Sequence, residues 1–385
     1  MDVKIHRGQN QIGGNIIEIA TASTKILFDV GLDLCEANNK DLPAIEGLFN
    51  GKGYDGVFIS HYHSDHLGLA YFINRDIPLY IGESSYKIVR AADDYKGVSS
   101  IAPKGFLHHG IPIVINDISV TPYLCDHSAF DSYMLLCEAD NESILYTGDF
   151  RSNGRKSYSR LLAQLPDKID RLICEGTTLS RKNHVSKTET ELEEEVVNCL
   201  KDTDGPVFVL QSSTNIDRIV TMYRAAKRCR RIFLQDLYMA DITSSIGGNI
   251  PNPAFDDVFP FMTNSRRYDG LCKYQNRVGK EFISGAQFVM CVRTSMSRYL
   301  RSLSKLMSFE NGCLIYSFWD GYKETESVKT FLKVCRELGL KVITLHTSGH
   351  ADAKAINQLI AKTNPTEILP IHTENPDWFK ENLQH

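Results

Sequence analysis

The residues best placed to do chemistry lie in the run His61-Tyr62-His63-Ser64-Asp65-His66, directly after the apolar stretch Gly56-Val57-Phe58-Ile59-Ser60. Neutral imidazoles suit zinc and other borderline divalent metals, and a carboxylate among them hardens the site and helps hold a second ion. An extended run with histidines at i and i+2 turns both rings to one side of the chain. The next turn brings Asp65 and His66 to a second point. The plainer reading, ordinary core or surface histidines, fits poorly, because buried histidines do not usually arrive clustered with a carboxylate.

Further candidates sit just past strand-like runs. His127 lies in Cys125-Asp126-His127-Ser128, and Asp149 follows Ser143–Gly148. Alone, each reads as structural; beside the first cluster they supply a third histidine for one metal and a carboxylate able to bridge two. Asp29, an acid at a strand end, is by itself a turn-former, and beside the histidines it reads as a residue that orients one of them. Glu175 is another acid at a strand end. His350 and His372 follow strand patterns near the C-terminus; His350 has the alternative reading of a helix N-cap.

The elements that must position these residues follow from periodicity. Alternation over residues 1 to 35 reads as two or three strands with Gly turns, followed by a helix and loop over 41 to 53. Leu67–Phe72 suits a short helix, and residues 83 to 96 a longer one. Strands are expected at Pro78–Ile81, Ile111–Ile115, Ile118–Tyr123, Ser132–Cys137 and Arg171–Cys174. From about residue 182 the texture becomes alternating strand and helix, which predicts a mainly parallel sheet; residues 250 to 260 are a Pro-rich connection. Strands Lys341–Leu345 and Glu367–Ile371 flank a helix over Ala353–Lys362 and close the chain.

With 385 residues, a formal net charge of −4 and 42% hydrophobic residues, the chain is of globular type with one large or two ordinary domains. It has no run of 18 apolar residues, and Met1–Ile5 enters a strand pattern without an apolar signal core, so no membrane partner is expected. Its 10 cysteines, Cys35 among them, form no CxxC pair and read as the reduced thiols of a cytoplasmic protein.

Taken together, these motifs resemble the metallo-β-lactamase superfamily, in its β-CASP nucleic-acid-processing branch, which includes ribonuclease J and the endonuclease of the cleavage and polyadenylation complex. Asp29, the His61–His66 motif, His127 and Asp149 resemble the superfamily motifs. Glu175, His350 (in Ser348-Gly349-His350-Ala351) and His372 are similar to the three β-CASP motifs. The resemblance implies an α/β fold: a lactamase-like αββα sandwich over 1–181, an inserted β-CASP domain over 182–340, and completion of the sandwich over 341–385. It implies one metal on His61, His63 and His127, a second on Asp65, His66 and His372, and Asp149 as the bridge. Asp65 would also orient or deprotonate the attacking water, while His350, held by Glu175, would donate to the phosphate or to the leaving oxygen. The chain ends soon after the third β-CASP motif, short of the C-terminal extension common in ribonuclease J.

The implied function is hydrolysis of phosphodiester bonds in single-stranded RNA, lying in a cleft between the domains, by a water activated by two divalent ions. Candidate phosphate contacts are Ser212, Ser213 and Asn215 in one strand-to-helix loop and Arg293, Ser295 and Arg298 in another, each equally readable as a capping box. Basic clusters at Arg228-Arg230-Arg231, Arg266-Arg267 and Arg298-Arg301-Lys305 are further candidates. A small-molecule ester, thioester or lactam hydrolase and a non-catalytic binding subunit are the rival readings. Zn or Mn, RNA or DNA, exonuclease or endonuclease action, and oligomeric state stay open at this level.

Overall fold

The computed structural model describes residues 1–33, 42–181, 186–263 and 268–382. Cys35 and the pair Arg266-Arg267 lie outside them. The chain divides into two compact units, one of Met1–Ser186 with Gly349–His385 and one of Lys187–Ser348.

The first unit holds two six-stranded sheets. One runs in order through β1 (Asp2–Arg7), β2 (Ile16–Ala20), β3 (Lys25–Phe28), β4 (Gly56–Phe58), β5 (Leu79–Gly82) and β6 (Gly105–Leu107). The other is built from β7 (Ile113–Ile115), β8 (Ile118–Cys125), β9 (Ser132–Ala139), β10 (Glu142–Tyr146) and β11 (Arg171–Glu175). A late strand, Glu367–Ile371, joins it beside β11 as a parallel edge. Edge placement suits Pro370, which has no N–H to donate.

Period-two alternation sorts the second sheet's side chains between two cores. Tyr133, Leu135, Cys137, Ile144, Tyr146 and Ile173 pack with Ile17, Ile19, Ile26, Phe28 and Phe58 of the first sheet. Met134, Leu136, Leu145, Leu172 and Cys174 turn the other way, onto Leu161, Ile356 and Leu359 of helices Tyr158–Gln164 and Ala353–Thr363. Because both faces of β9 and β10 are covered, their buried runs Tyr133–Cys137 and Ile144–Tyr146 are apolar without alternation. This is the expected αββα sandwich.

The second unit is built on one six-stranded sheet. Its strands are β12 (Val207–Leu210), β13 (Ile232–Asp236), β14 (Val258–Phe261), β15 (Phe288–Val292), β16 (Cys313–Tyr316) and β17 (Lys341–Thr344), in the order β14-β13-β15-β12-β16-β17. Every pairing is parallel. The first helix, Glu189–Lys201, opens with a capping box between Thr188 and Glu191.

Four expectations are corrected. Residues 42–53 form turns in place of a helix, with Pro43 before the bend and Gly47 in the left-handed region. The short helix is Ser64–Leu67, earlier than expected, so it carries Asp65 and His66 itself. Part of the Pro-rich connection is strand β14, whose Pro260 is tolerated at the sheet edge. Residues 341–348 belong to the second unit, because β17 pairs with β16. Among the described residues no helix is long and apolar enough to cross a membrane.

Candidate metal centre

All of the candidate metal-ligating and acid–base residues fall in the first unit, and all but His350, which stands at the chain's re-entry into that unit, lie at the carboxyl ends of its strands or in the segments after them. His61 and His63 lie in the segment after β4, beyond the strand itself. Their nitrogens still converge: His61 Nε2 is 3.2 Å from His63 Nδ1, which is 3.2 Å from His127 Nε2. Around a second point, His372 Nε2 is 3.2 Å from Asp65 Oδ2, and His66 Nε2 is 3.9 Å from the same oxygen. Asp149 Oδ2 lies between the groups, 3.8 Å from His61 Nε2, 3.8 Å from His127 Nε2, 3.2 Å from His66 Nε2 and 3.6 Å from His372 Nε2.

The donor set fits metal ions. Ring nitrogens bearing lone pairs gain nothing from facing one another, whereas ligands at about 2.0–2.1 Å from a tetrahedral zinc sit about 3.3–3.4 Å apart. His66 Nε2 and Asp149 Oδ1 are buried without a hydrogen-bond partner among the described residues, an arrangement that is costly without a ligand. The groups His61–His63–His127 and Asp65–His66–Asp149–His372 could each hold an ion.

The outer nitrogens explain why the inner ones are bare. Asp29 accepts from the Ser60 amide and hydroxyl at 2.7 Å each and from the Tyr146 hydroxyl at 2.5 Å. It also stands 2.7 Å from His66 Nδ1, so that nitrogen carries the proton and Nε2 faces the cluster. Ser60 Oγ, having given its proton to Asp29, accepts from His61 Nδ1 at 3.0 Å. His127 Nδ1 donates to the Gly349 carbonyl. Asp29 and His372 both have left-handed backbones, at φ 58° and 50°; such strain collects where a fold holds a site in place. Asp29 is thus turn-former and orienter at once.

Burial shapes the protonation of the cluster. His61 and His127 are held well below the usual histidine range by burial and by neighbouring imidazoles. Burial takes His63 down to about 4. His66 goes the other way: burial opposes its charge, but Asp149, Asp29 and Asp65 outweigh it. Asp149 and Asp65 are lowered despite burial, Asp149 chiefly by His372 and His66 and Asp65 chiefly by His66 and His372.

His350 is not a helix cap. Asp352 caps Ala353–Thr363 by accepting from the Ala355 amide. His350 Nδ1 instead stands 3.4 Å from Glu175 Oε2 and 3.6 Å from Asp149 Oδ2, with its side chain 23% exposed. These carboxylates raise its pKa against the effect of burial. Glu175 is wholly buried and accepts from the amides of Phe150, Thr177 and Ala351.

Residues 10–165 match the model of the metallo-beta-lactamase superfamily, and residues 337–384 match that of a Zn-dependent metallo-hydrolase RNA specificity domain. Residues 10–165 therefore belong to the metallo-β-lactamase superfamily. The chain is accordingly a metal-dependent hydrolase. It is 20% identical to Ribonuclease J 1 of Streptococcus pyogenes serotype M3, over 95% of its own length and 67% of that protein's. It is 22% identical to Ribonuclease J 2 of the same organism, over 96% and 69%. With Ribonuclease J of Sinorhizobium meliloti it shares 21% identity, over 83% of this chain and 57% of that one. Its fold is similar to that of a protein of unknown function from Enterococcus faecalis V583, with a TM-score of 0.75 and 22% identity over 97% of this chain and 94% of that one.

The candidate substrate contacts lie in the second unit of the chain. Asn215 caps Ile216–Arg228, accepting from the Arg218 amide at 3.1 Å, and Ser212 bonds Thr214 within the loop. Ser213 is buried. Arg293 pairs with Asp236 and lies over the Tyr238 ring, while Ser295 and Arg298 are exposed just beyond it. Arg228 is engaged by Glu193 and Glu194, Arg231 by backbone carbonyls, and Arg301 by Glu337.

Sequence reasoning missed the supporting residues. Ser60 and Thr177 carry no pattern of their own, although each lies within two residues of a candidate. The buried pair of Arg151 and Asp126, at 2.6 Å, joins the loop bearing His127 to the one bearing Asp149. Asp126 was legible as a neighbour of His127 but not as a brace.

Proposed function

We propose that this chain is a metal-dependent ribonuclease of the β-CASP branch that hydrolyses phosphodiester bonds of single-stranded RNA. The observation that carries the reading is the convergence of four histidine nitrogens on Asp149 Oδ2, two from each ligand group. The names of the ribonuclease J relatives and of the RNA-specificity model support RNA as the substrate.

In this reading His61, His63 and His127 hold one divalent ion and Asp65, His66 and His372 a second, with Asp149 shared; Zn is the first choice and Mn the alternative. Bound there, the pair would lower the pKa of a shared water and offset charge on the attacked phosphate. Asp65 would orient that water or receive its proton. His350, the partly exposed member of the set, donates to a phosphate oxygen or to the leaving oxygen, steadied by Glu175. Free thiols among the described residues support a reducing, cytoplasmic setting.

The test uses metal-loaded protein on 5′- and 3′-labelled single-stranded RNA and matched DNA, with the Asp65→Ala, His66→Ala double variant as control. Cleavage of RNA by the wild type alone supports the proposal, and the product ladder separates exonuclease from endonuclease action. Metal-loaded protein that cuts no polymer, yet hydrolyses a generic ester or lactam, overturns it.

A further inference from the structure

A pair of exposed aromatic rings stands in the second unit, on the turn that follows β16. Trp319 is 50% exposed and Tyr322 49%. Tryptophan is highly buried on average, so a half-exposed indole beside a half-exposed phenol is an uncommon surface. The rings meet edge to face, with centroids 5.7 Å apart and planes at 83°.

The turn holds this arrangement rigidly. The Tyr316 hydroxyl donates to the Trp319 carbonyl at 2.9 Å, and the Tyr322 amide donates to the same oxygen at 3.1 Å. The indole lies against the backbone of Gly321: a Cβ there would stand 2.2 Å from indole Cζ3, so only glycine lets the ring fold back this far. Lys323, bonded to Thr344 at 2.8 Å, ties the turn to β17.

The turn also shares the carboxyl edge of its sheet with the polar loop after β12. Ser317, where the turn begins, receives Arg218 on its carbonyl and hydroxyl, and Arg218 lies in the helix that Asn215 caps. β16 and β12 are adjacent strands, and in open parallel sheets ligands gather at this edge. The nearby acids are matched: Asp320 pairs with Lys323 at 2.7 Å and Glu324 with Lys329 at 3.0 Å. A polyanion therefore meets balanced charge here.

We infer that Trp319 and Tyr322 form a stacking platform for an unpaired base of single-stranded RNA. The inference rests on the ribonuclease reading and names two residues through which the substrate is held. Every base offers a π-face, so such a platform accepts any sequence, and a ring already fixed against Gly321 loses little freedom on binding. Two rings fall far short of the roughly 800 Å² per partner of a standard protein interface, which argues for a base over a protein chain.

The test measures binding of a hydrolysis-resistant phosphorothioate oligo(rA) of about 12 nucleotides to the metal-loaded full chain by anisotropy, beside its abasic counterpart. Trp319→Leu is expected to weaken binding about ten-fold and Trp319→Phe by less than about three-fold, with the abasic oligomer bound as weakly by wild type as oligo(rA) is by Trp319→Leu. The chain has 2 tryptophans, and oligo(rA) should quench the Trp319 share of the emission. Equal binding by wild type and Trp319→Leu, equal binding of the abasic oligomer, or no binding by wild type overturns the platform. Cleavage is read separately: wild type that binds through Trp319 but cuts no RNA overturns the ribonuclease reading and leaves the platform standing.

Discussion

The hydroxyl of Thr177 stands 2.8 Å from Nδ1 of His372. It donates its own proton to Glu175 Oε2 at 2.6 Å, so the lone pair left on Thr177 Oγ1 accepts the His372 Nδ1 proton. One threonine thereby sets the tautomer that turns His372 Nε2 toward Asp65 and Asp149, and it links the buried Glu175 to the proposed second ion.

Thr177→Val keeps the shape and removes the link. It should lower metal affinity about 10- to 100-fold, as loss of outer partners does elsewhere, and cost about 1–3 kcal/mol of stability by stranding buried polar groups. Competition titration with a chelating dye and urea unfolding measure the two effects. Thr177→Ser should restore both; a Val variant with unchanged metal affinity would show that His372 is held by other means.

Gly31 is the second point of control. A Cβ there would lie 1.7 Å from the Asp65 carbonyl oxygen and 2.9 Å from the Asn15 amide nitrogen. Since backbone cannot give way as a flexible side chain does, Gly31→Ala should shift the Ser64–Leu67 turn and cost about 1–3 kcal/mol. Metal content after gel filtration should drop with it. Wild-type metal content in a folded Gly31→Ala protein would sink the argument.

His346, in the second unit, is taken down to about 3, first by burial and then by Arg218. Its folded-state pKa lies below its unfolded value of about 6.5, so the unfolded chain binds the extra proton. The resulting loss of stability is absent above about pH 6.5 and grows as pH falls toward 3, by at most about 1.4 kcal/mol per unit. His346→Asn lacks that proton site. Its stability relative to wild type should therefore rise steadily from pH 7 to pH 4 in urea unfolding, and a constant difference would refute the assignment.

Arg218 and Glu189 form a fully buried pair at 3.2 Å, with Arg218 also donating to the Ser317 and Thr347 carbonyls. Arg218→Met leaves the Glu189 carboxylate buried without its cation. The expected cost is about 3–5 kcal/mol, read from thermal and urea unfolding. The double variant Arg218→Met, Glu189→Leu should recover part of it.

Much of the architecture was legible because its signals are local. Runs such as Ser132–Cys137 and Val207–Gln211 are apolar because both faces of their strands are covered, and Thr188 with Glu191 marks a helix start by chemistry that spans one turn. Signals failed where a residue type has two meanings. Pro260 marks a break in most contexts and an edge strand in this one. Lys341–Thr344 looks like any strand, and nothing within it says which sheet it joins; that depended on Cys313–Tyr316, far back in the chain.

By itself the sequence determined the chemistry available: the spacing of His61, His63, Asp65 and His66 delivers four ligating groups in one turn of chain, whatever surrounds them. Only the tertiary structure decided which nitrogen each ring presents, through Asp29, Ser60, Gly349 and Thr177, and brought His372 within 3.2 Å of Asp65 across 307 positions. The physical reason is that ligand type is a property of a side chain, whereas tautomer and direction depend on hydrogen-bond partners that only the folded chain assembles.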